Sequence, residues 1–130
     1  MDIKNGVIEK IAVREDILSR PELKILAFDI ETSKDPLKFP DAEKDVVMMI
    51  SLMFDGMAYL IVNLGFCGQA VSSFSYTPKA AFACAVIVFN EESEKATLEK
   101  FFKLIQVYKP SVITSFNGDK FDIPFILVRC

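Results

Sequence analysis

Histidine is absent from this sequence, and its absence excludes several kinds of site at once. Without an imidazole there is no Ser-His-Asp triad, no histidine general base and no zinc site that contains histidine. The three cysteines, Cys67, Cys84 and Cys130, form no CxxC pair, so we expect neither a disulfide framework nor a cysteine-rich zinc site within the chain. Any catalysis must therefore rely on carboxylates, hydroxyls and lysines.

Excess positive charge and long apolar runs are also lacking. The 15 basic residues are outnumbered by 18 acidic ones, so the net charge of −3 creates no basic field that would attract nucleic acid. The longest apolar runs, residues 46–54 and 81–89, are too short for a membrane helix, and the N-terminus has no signal-peptide pattern. We therefore expect a soluble, intracellular protein that has no membrane contact.

The residues that are present suit one α/β domain. The 130 residues, 52% of them hydrophobic, are enough for a single core. We expect residues 1–22 to be a loose lead-in that ends near Arg20-Pro21, and residues 23–130 to be the domain. The Asp55-Gly56 pair between two apolar runs predicts a hairpin. Pro110 is expected to end the helix predicted over residues 91–108.

The apolar patterns predict the elements in order. The expected strands are 23–30 (apolar on both faces), 46–54, 57–63, one within 81–89, and 111–116; the expected helices are 91–108 and 121–130; residues 31–45 and 64–80 are expected to be loops. The first strands should be antiparallel, whereas the last should join the sheet in parallel through a helical crossover.

Two acids lie at the end of the predicted central strand. Because side chains alternate along a strand, Asp29 and Glu31 should point to the same face. Two anions so close together in a partly buried place require either a proton or a cation between them. Oxygen ligands of this kind suit Mg²⁺ or Mn²⁺. The alternative interpretation is that both acids cap or pair with the following loop.

A second polar cluster, NGDKFDIPF at 117–125, follows the last predicted strand. If that strand lies parallel to residues 23–30, Asp122 should come close to Asp29 and Glu31, because ligands collect at the carboxyl ends of parallel strands. Alternatively, Asn117-Gly118 is a plain turn and Asp119 or Asp122, with Asp119 preferred, caps the following helix.

Three carboxylates without histidine indicate phosphodiester hydrolysis assisted by two metal ions. A rival metal-and-acid interpretation is the D-x-D-x-T motif of haloacid-dehalogenase-type phosphotransferases. This sequence departs from that motif twice, at Glu31 and at Ser33.

FDIET (28–32) and SFNGDKFDIPF (115–125) resemble the first two exonuclease motifs of family B DNA polymerases. The run 26–63, with VFNE (88–91) and KPSVITSFNGDKFD (109–122), is similar to the proofreading region of one eukaryotic replicative branch of that family. The resemblance extends from about residue 21 to residue 130 and includes the loop between the motifs, which makes it more specific than either motif alone.

The resemblance implies a ribonuclease H-like (DnaQ-like) α/β fold, a mixed sheet with an antiparallel hairpin and a helical crossover. The implied reaction is metal-dependent 3′→5′ removal of mispaired nucleotides from the primer end of DNA. Asp29, Glu31 and Asp122 would be the catalytic residues and would hold two divalent ions, Mg²⁺ or Mn²⁺. Thr32, Asn117 and Phe121 would bind substrate beside the primer terminus.

The family also has a third exonuclease motif with a fourth acid, and this sequence ends at Cys130 before it. We therefore expect a fragment of a larger nuclear, DNA-directed DNA polymerase of replication and repair, with little or no nuclease activity alone. The implied partners are the single-stranded primer 3′ end, the remaining polymerase domains and accessory subunits. Zinc or an iron–sulfur cluster is allowed elsewhere in the parent protein. A non-catalytic structural or DNA-positioning module of the same fold and a free-standing DnaQ-like exonuclease remain alternatives.

Overall fold

The computed structural model describes residues 2–4, 7–10, 16 and 22–130, and the predicted lead-in boundary at Arg20-Pro21 lies outside them. The strands are β1 Asp2–Lys4, β2 Val7–Lys10, β3 Ile25–Thr32, β4 Val47–Phe54, β5 Met57–Asn63, β6 Phe74–Tyr76, β7 Cys84–Glu91 and β8 Val112–Thr114. The helices are α1 Leu64–Cys67, α2 Glu94–Tyr108 and α3 Asp122–Arg129, with a short 3₁₀ turn at Ala80–Phe82. Strands β1 and β2 pair antiparallel in a small sheet of their own, which the sequence pattern did not predict.

The six other described strands form one mixed sheet in the order β6-β7-β5-β4-β3-β8. Strands β3, β4 and β5 are antiparallel neighbours, whereas β7 lies parallel to β5 and β8 lies parallel to β3. The predicted hairpin is confirmed: Asp55 and Gly56 join β4 to β5 with φ angles of 51° and 73°, the positive values that a tight two-residue turn requires. The predicted helical crossover is confirmed too, because α2 carries the chain from β7 to β8.

Helices α2 and α3 pack on the same face of the sheet and form the core with it. Leu26, Phe28 and Ile30 of β3 lie buried against these helices, and the rings of Phe28 and Phe101 are 5.1 Å apart. Helix α2 begins after Ser93, whose Oγ accepts the N–H of Ala96, so its first residues were predicted three positions too early. It ends before Pro110, as predicted.

The prediction that the first strand is apolar on both faces is wrong, because the face of β3 opposite the helices carries two acids. Side chains alternate along β3, so that Asp29 and Glu31 are exposed on this face while their neighbours are buried on the other. The strand also runs to Thr32 rather than residue 30, because Asp29 and Glu31 pair with Ser51 and Met49 of β4. Both acids therefore lie within the strand, and the loop begins at Ser33.

Strand β6 is a second difference from the sequence prediction, which made residues 64–80 a loop. Phe74 and Tyr76 pair antiparallel with Val86 and Cys84 of β7 and form one edge of the sheet. Among the residues that the structure describes, no helix is long and apolar enough to cross a lipid bilayer.

Candidate carboxylate site

Asp122 is the buried centre of the candidate site. It is the first residue of α3, and its exposed fraction is 1%. One carboxylate oxygen, Oδ1, accepts the backbone N–H of Ile30 at 3.3 Å, and the other, Oδ2, accepts the hydroxyl of Ser115 at 2.8 Å. The N-terminal end of a helix also favours a negative charge. These three features compensate for the loss of water around the carboxylate.

The sheet register explains why Asp122 reaches β3. The parallel pairing of β8 with β3 ends where Thr114 lies opposite Ala27. Beyond that pair the carboxylate of Asp122, rather than another strand, receives the N–H of Ile30. The chain turns at residues 115–121 and enters α3, which places Asp122 at the carboxyl end of β8. This is the place predicted from the sequence.

Asp29 shares its electrostatic environment with both other acids. Its pKa is raised, first by partial loss of the surrounding water, then by the charge of Asp122 and a hydrogen bond with it, and finally by the charge of Glu31. Asp122 and Glu31 are thus both close enough to Asp29 to repel its negative charge. The expectation that the pair on β3 is partly buried needs correction, since Asp29 and Glu31 are both exposed and the buried acid is Asp122.

The donor set suits a hard divalent cation, because carboxylate oxygens are the ligands that Mg²⁺ and Mn²⁺ prefer. The accumulated negative charge, visible in the raised pKa of Asp29, is the kind that such a cation neutralises. The spacing is different from that of a formed site: within the described part of the chain, no three His, Cys, Asp or Glu side chains are arranged to hold a metal ion. The residues therefore fit the metal in chemical type.

The residues expected to bind substrate lie around this centre in different surroundings. Thr32 is half-buried at the end of β3, opposite Val47, where the register shifts. Asn117 is exposed, and its carbonyl accepts the N–H groups of Lys120 and Phe121 to form the turn. The ring of Phe121 packs against the core and lies 5.6 Å from that of Phe125. None of these positions tests the expected contact with a primer, which stays a prediction.

Asp119 does not have the role suggested for it. It is exposed, and α3 begins after Phe121 without any side-chain cap. The acid that benefits from the helix end is Asp122, in the first turn. The prediction that Asp119 caps the helix is therefore wrong, because the turn is tightened by backbone hydrogen bonds from Lys120 and Phe121 to Asn117 instead.

Two features of the site were missed by sequence reasoning. The first is Ser115, whose only signal in the sequence is its place between the last strand and the NGD turn. The second is a groove of about 980 Å³ on the open face of the sheet. The groove runs from Asp29, Ser115 and Phe116 to Phe74 and Tyr76 on β6, and its lining is mainly apolar. It depends on β6, which the sequence did not predict.

Comparison with known proteins shows similarity along nearly the whole chain. Residues 2–130 match the family described as DNA polymerase family B, exonuclease domain. The chain is 47% identical over 127 residues to the DNA polymerase epsilon catalytic subunit of Dictyostelium discoideum, a match that covers 98% of this chain and 5% of that protein. The corresponding protein of Schizosaccharomyces pombe is 48% identical over 120 residues, covering 92% of this chain and 6% of the relative. That of Arabidopsis thaliana is 47% identical over 120 residues, covering 92% and 5%.

These similarities confirm the resemblance indicated by the two motifs and extend it toward the N-terminus, from about residue 21 to residue 2. DNA polymerase epsilon is the replicative branch that the longer run of residues resembles, and this expectation is confirmed as well. The chain spans only 5–6% of the length of these relatives.

Proposed function

This chain belongs to the exonuclease-domain family of family B DNA polymerases, and from that membership we propose that its carboxylates form part of a proofreading site. The site would remove mispaired nucleotides from the 3′ end of a DNA primer by metal-dependent hydrolysis. The observation that carries the proposal is that Asp122, buried at the start of α3, accepts the N–H of Ile30, the residue between Asp29 and Glu31 on β3. Residues separated by most of the domain meet there as a cluster of acids.

The wider assignments are part of the same proposal. The mixed sheet, the antiparallel hairpin and the helical crossover support a ribonuclease H-like arrangement. The parent protein would be a DNA polymerase epsilon-like catalytic subunit that acts in the nucleus in replication and repair. Its partners would be the primer 3′ end, its own polymerase domains and accessory subunits. Because the described residues contain no three acids arranged to hold a metal ion, we propose that the chain alone is a weak nuclease or an inactive one.

Asp29, Glu31 and Asp122 would hold the divalent ions, which supply positive charge and Lewis acidity at the scissile phosphate when they are bound. The two hydrogen bonds to Asp122 fix the direction of its carboxylate before any cation arrives. Asp29 and Glu31 are exposed on the open face, from which a DNA end can approach. The adjoining apolar groove would let the unstacked terminal base pack against apolar side chains, whichever of the four bases it is.

Mn²⁺ binding tests this proposal, because paramagnetic resonance distinguishes the free ion from the bound ion. We expect weak binding by the chain, and a decrease in affinity of at least about tenfold in Asp29→Asn and in Glu31→Gln. Asp55→Asn is the matched control, since it removes the same charge from the distant hairpin turn, where asparagine also tolerates positive φ. Equal affinities in all four proteins, or no binding by a folded chain, would contradict the proposal.

A non-catalytic module of the same fold is the second candidate. The observation in its favour is that the described residues contain no arrangement of acids ready to hold a metal. The same titration separates the candidates, because a module that only positions DNA needs no cation at Asp29 and Glu31.

A further inference from the structure

The carboxylate of Asp122 is held from two sides by donors of different kinds. The N–H of Ile30 belongs to the backbone and is present whatever side chain occupies that position. The hydroxyl of Ser115 is a side-chain donor, and its 2.8 Å hydrogen bond is the shorter of the two. We infer that Ser115 is a positioning residue of the site, which fixes the plane of the Asp122 carboxylate so that it faces Asp29. This inference rests on the proposed function.

In the turn after β8, the backbone of Gly118 packs against Ser115 and restricts its position. A Cβ atom added at Gly118 would lie 3.0 Å from the Cβ of Ser115 and 3.6 Å from its backbone nitrogen. Gly118, which is buried while its neighbours in the turn are exposed, is thus folded closely over Ser115. The carbonyl of Gly118 also accepts the N–H of Ile123 at 2.9 Å, which joins the turn to the first turn of α3. Ser115, Gly118 and the start of α3 therefore form one unit around Asp122.

Two donors are needed because a carboxylate can rotate about its Cβ–Cγ bond. A single hydrogen bond from Ile30 to Oδ1 restrains one oxygen and leaves the plane of the group free to turn. The second bond, from Ser115 to Oδ2, removes that freedom. Loss of the hydroxyl would also deprive a buried carboxylate oxygen of its 2.8 Å donor. Metal ligands are commonly oriented by such hydrogen bonds, whose removal decreases metal affinity by about 10–100-fold.

The test compares Ser115→Ala with Ser115→Thr, which retains a hydroxyl. Ser111→Ala is the matched control: Ser111 precedes the same strand, is exposed, and its hydroxyl only accepts a 3.4 Å bond from the N–H of Lys24. Two quantities are measured on each folded protein. One is the dissociation constant for Mn²⁺, and the other is the amide resonance of Ile30 in the metal-free protein, which reports the position of Oδ1.

We expect Ser115→Ala to weaken Mn²⁺ binding by about 10–100-fold and to shift the Ile30 resonance. Ser115→Thr should restore both quantities toward those of the unmodified chain, and Ser111→Ala should change neither. Gly118→Ala keeps the hydroxyl but crowds Ser115, so it should change both in the same direction as Ser115→Ala. It also provides a test if Ser115→Ala does not fold.

Unchanged Mn²⁺ affinity with an unshifted Ile30 resonance in Ser115→Ala would overturn the inference. So would a folded Ser115→Thr protein that behaves like Ser115→Ala, since the hydroxyl would then not be the cause. The failure of the proposed function looks different. In that case Mn²⁺ does not bind through Asp29 and Glu31, while the Ile30 resonance still reports whether Ser115 orients Asp122 in the metal-free protein.

Discussion

At the scale of single residues, the negative charge of Asp29 lowers the stability of the metal-free folded protein. Partial loss of surrounding water, Asp122 and Glu31 all raise its pKa, which means that the folded protein disfavours the ionised form relative to the unfolded chain. A group with a raised pKa contributes stability below its unfolded pKa and loses it as the pH rises through the folded value. At neutral pH, therefore, ionised Asp29 destabilises the metal-free protein.

Asp29→Asn should accordingly stabilise the metal-free protein at pH 7, because it removes the repulsion. Since Asp29 is exposed, solvent screening should limit the gain to below about 1 kcal/mol. Urea unfolding in the presence of a chelator measures it, with Asp55→Asn as the control. The gain should disappear below pH 3.8, the ordinary pKa of the side chain. A lower free energy of unfolding at pH 7 in Asp29→Asn would show that the carboxylate is not repelled.

At the scale of elements, a charged pair joins α2 to α3 and the loop between β3 and β4. Arg129 of α3 donates to both oxygens of Glu94 at 2.9 and 2.6 Å and to the carbonyl of Ala42 at 3.3 Å. Glu94 also accepts the N–H of Val47 at 2.8 Å. Because Arg129 lies on the same helix as Asp122, this pair sets the position of the helix that carries the buried acid.

Burial opposes the ionisation of Glu94, but the bonds from Arg129 and Val47 outweigh it, and the pKa of Glu94 is lowered. Glu94→Gln should therefore decrease the free energy of unfolding at pH 7 by about 1–3 kcal/mol, as expected when a partly buried charge loses its partner. Glu99→Gln is the matched control on α2, because the Glu99 side chain is 68% exposed and its ion pair with Lys95 is long, at 3.9 Å. We expect a change of less than about 0.5 kcal/mol there.

The pH dependence of this difference follows from the direction of the shift. A lowered pKa means that the contribution of Glu94 is present above its ordinary value of 4.5 and is lost as the pH falls through the folded value. The difference between the unmodified chain and Glu94→Gln should therefore shrink in acid. A difference that does not depend on pH would indicate that packing, rather than charge, is responsible.

At the scale of the whole molecule, stability comes from one face of the sheet. Buried side chains of β3, β4 and β5 meet those of α2 and α3 in a single apolar cluster. The other face holds the groove and the exposed acids. This division keeps Asp29 and Glu31 away from the core, so that changes at these two acids and changes in the core can be separated experimentally.

Leu26→Ala should decrease the free energy of unfolding by about 2–5 kcal/mol, because Leu26 is 0% exposed at the centre of the cluster and its truncation leaves a cavity. Leu127→Ala is the control, since Leu127 of α3 is 66% exposed. It should change stability by less than about 0.5 kcal/mol. Similar losses in the two variants, measured by thermal or urea unfolding, would contradict a core that lies on one face.

Features governed by local chemistry were predictable from the sequence alone. The Asp55-Gly56 turn follows from the positive φ angles that these residues tolerate, and α2 follows from the helical spacing of its apolar residues. The direction of β8, parallel to β7, follows from the connection of these two strands through α2, whereas the place of β8 beside β3 does not. The choice of Asp29, Glu31 and Asp122 as candidate residues needed only their positions relative to the predicted strands. The motif resemblance then indicated the family.

The remaining features required the tertiary structure, because they depend on residues that are far apart in the sequence. The pairing of β6 with β7, the Ser115 and Ile30 donors to Asp122, and the Glu94–Arg129 pair are set by strand register and helix packing. The burial of Asp29 and Glu31 differed from the prediction for the same reason. Helices cover one face of β3, and these two side chains point to the uncovered face. The sequence by itself thus determined which acids are present and where the chain turns. The packing of α3 against β3 decided which acid is buried and which groups hold it.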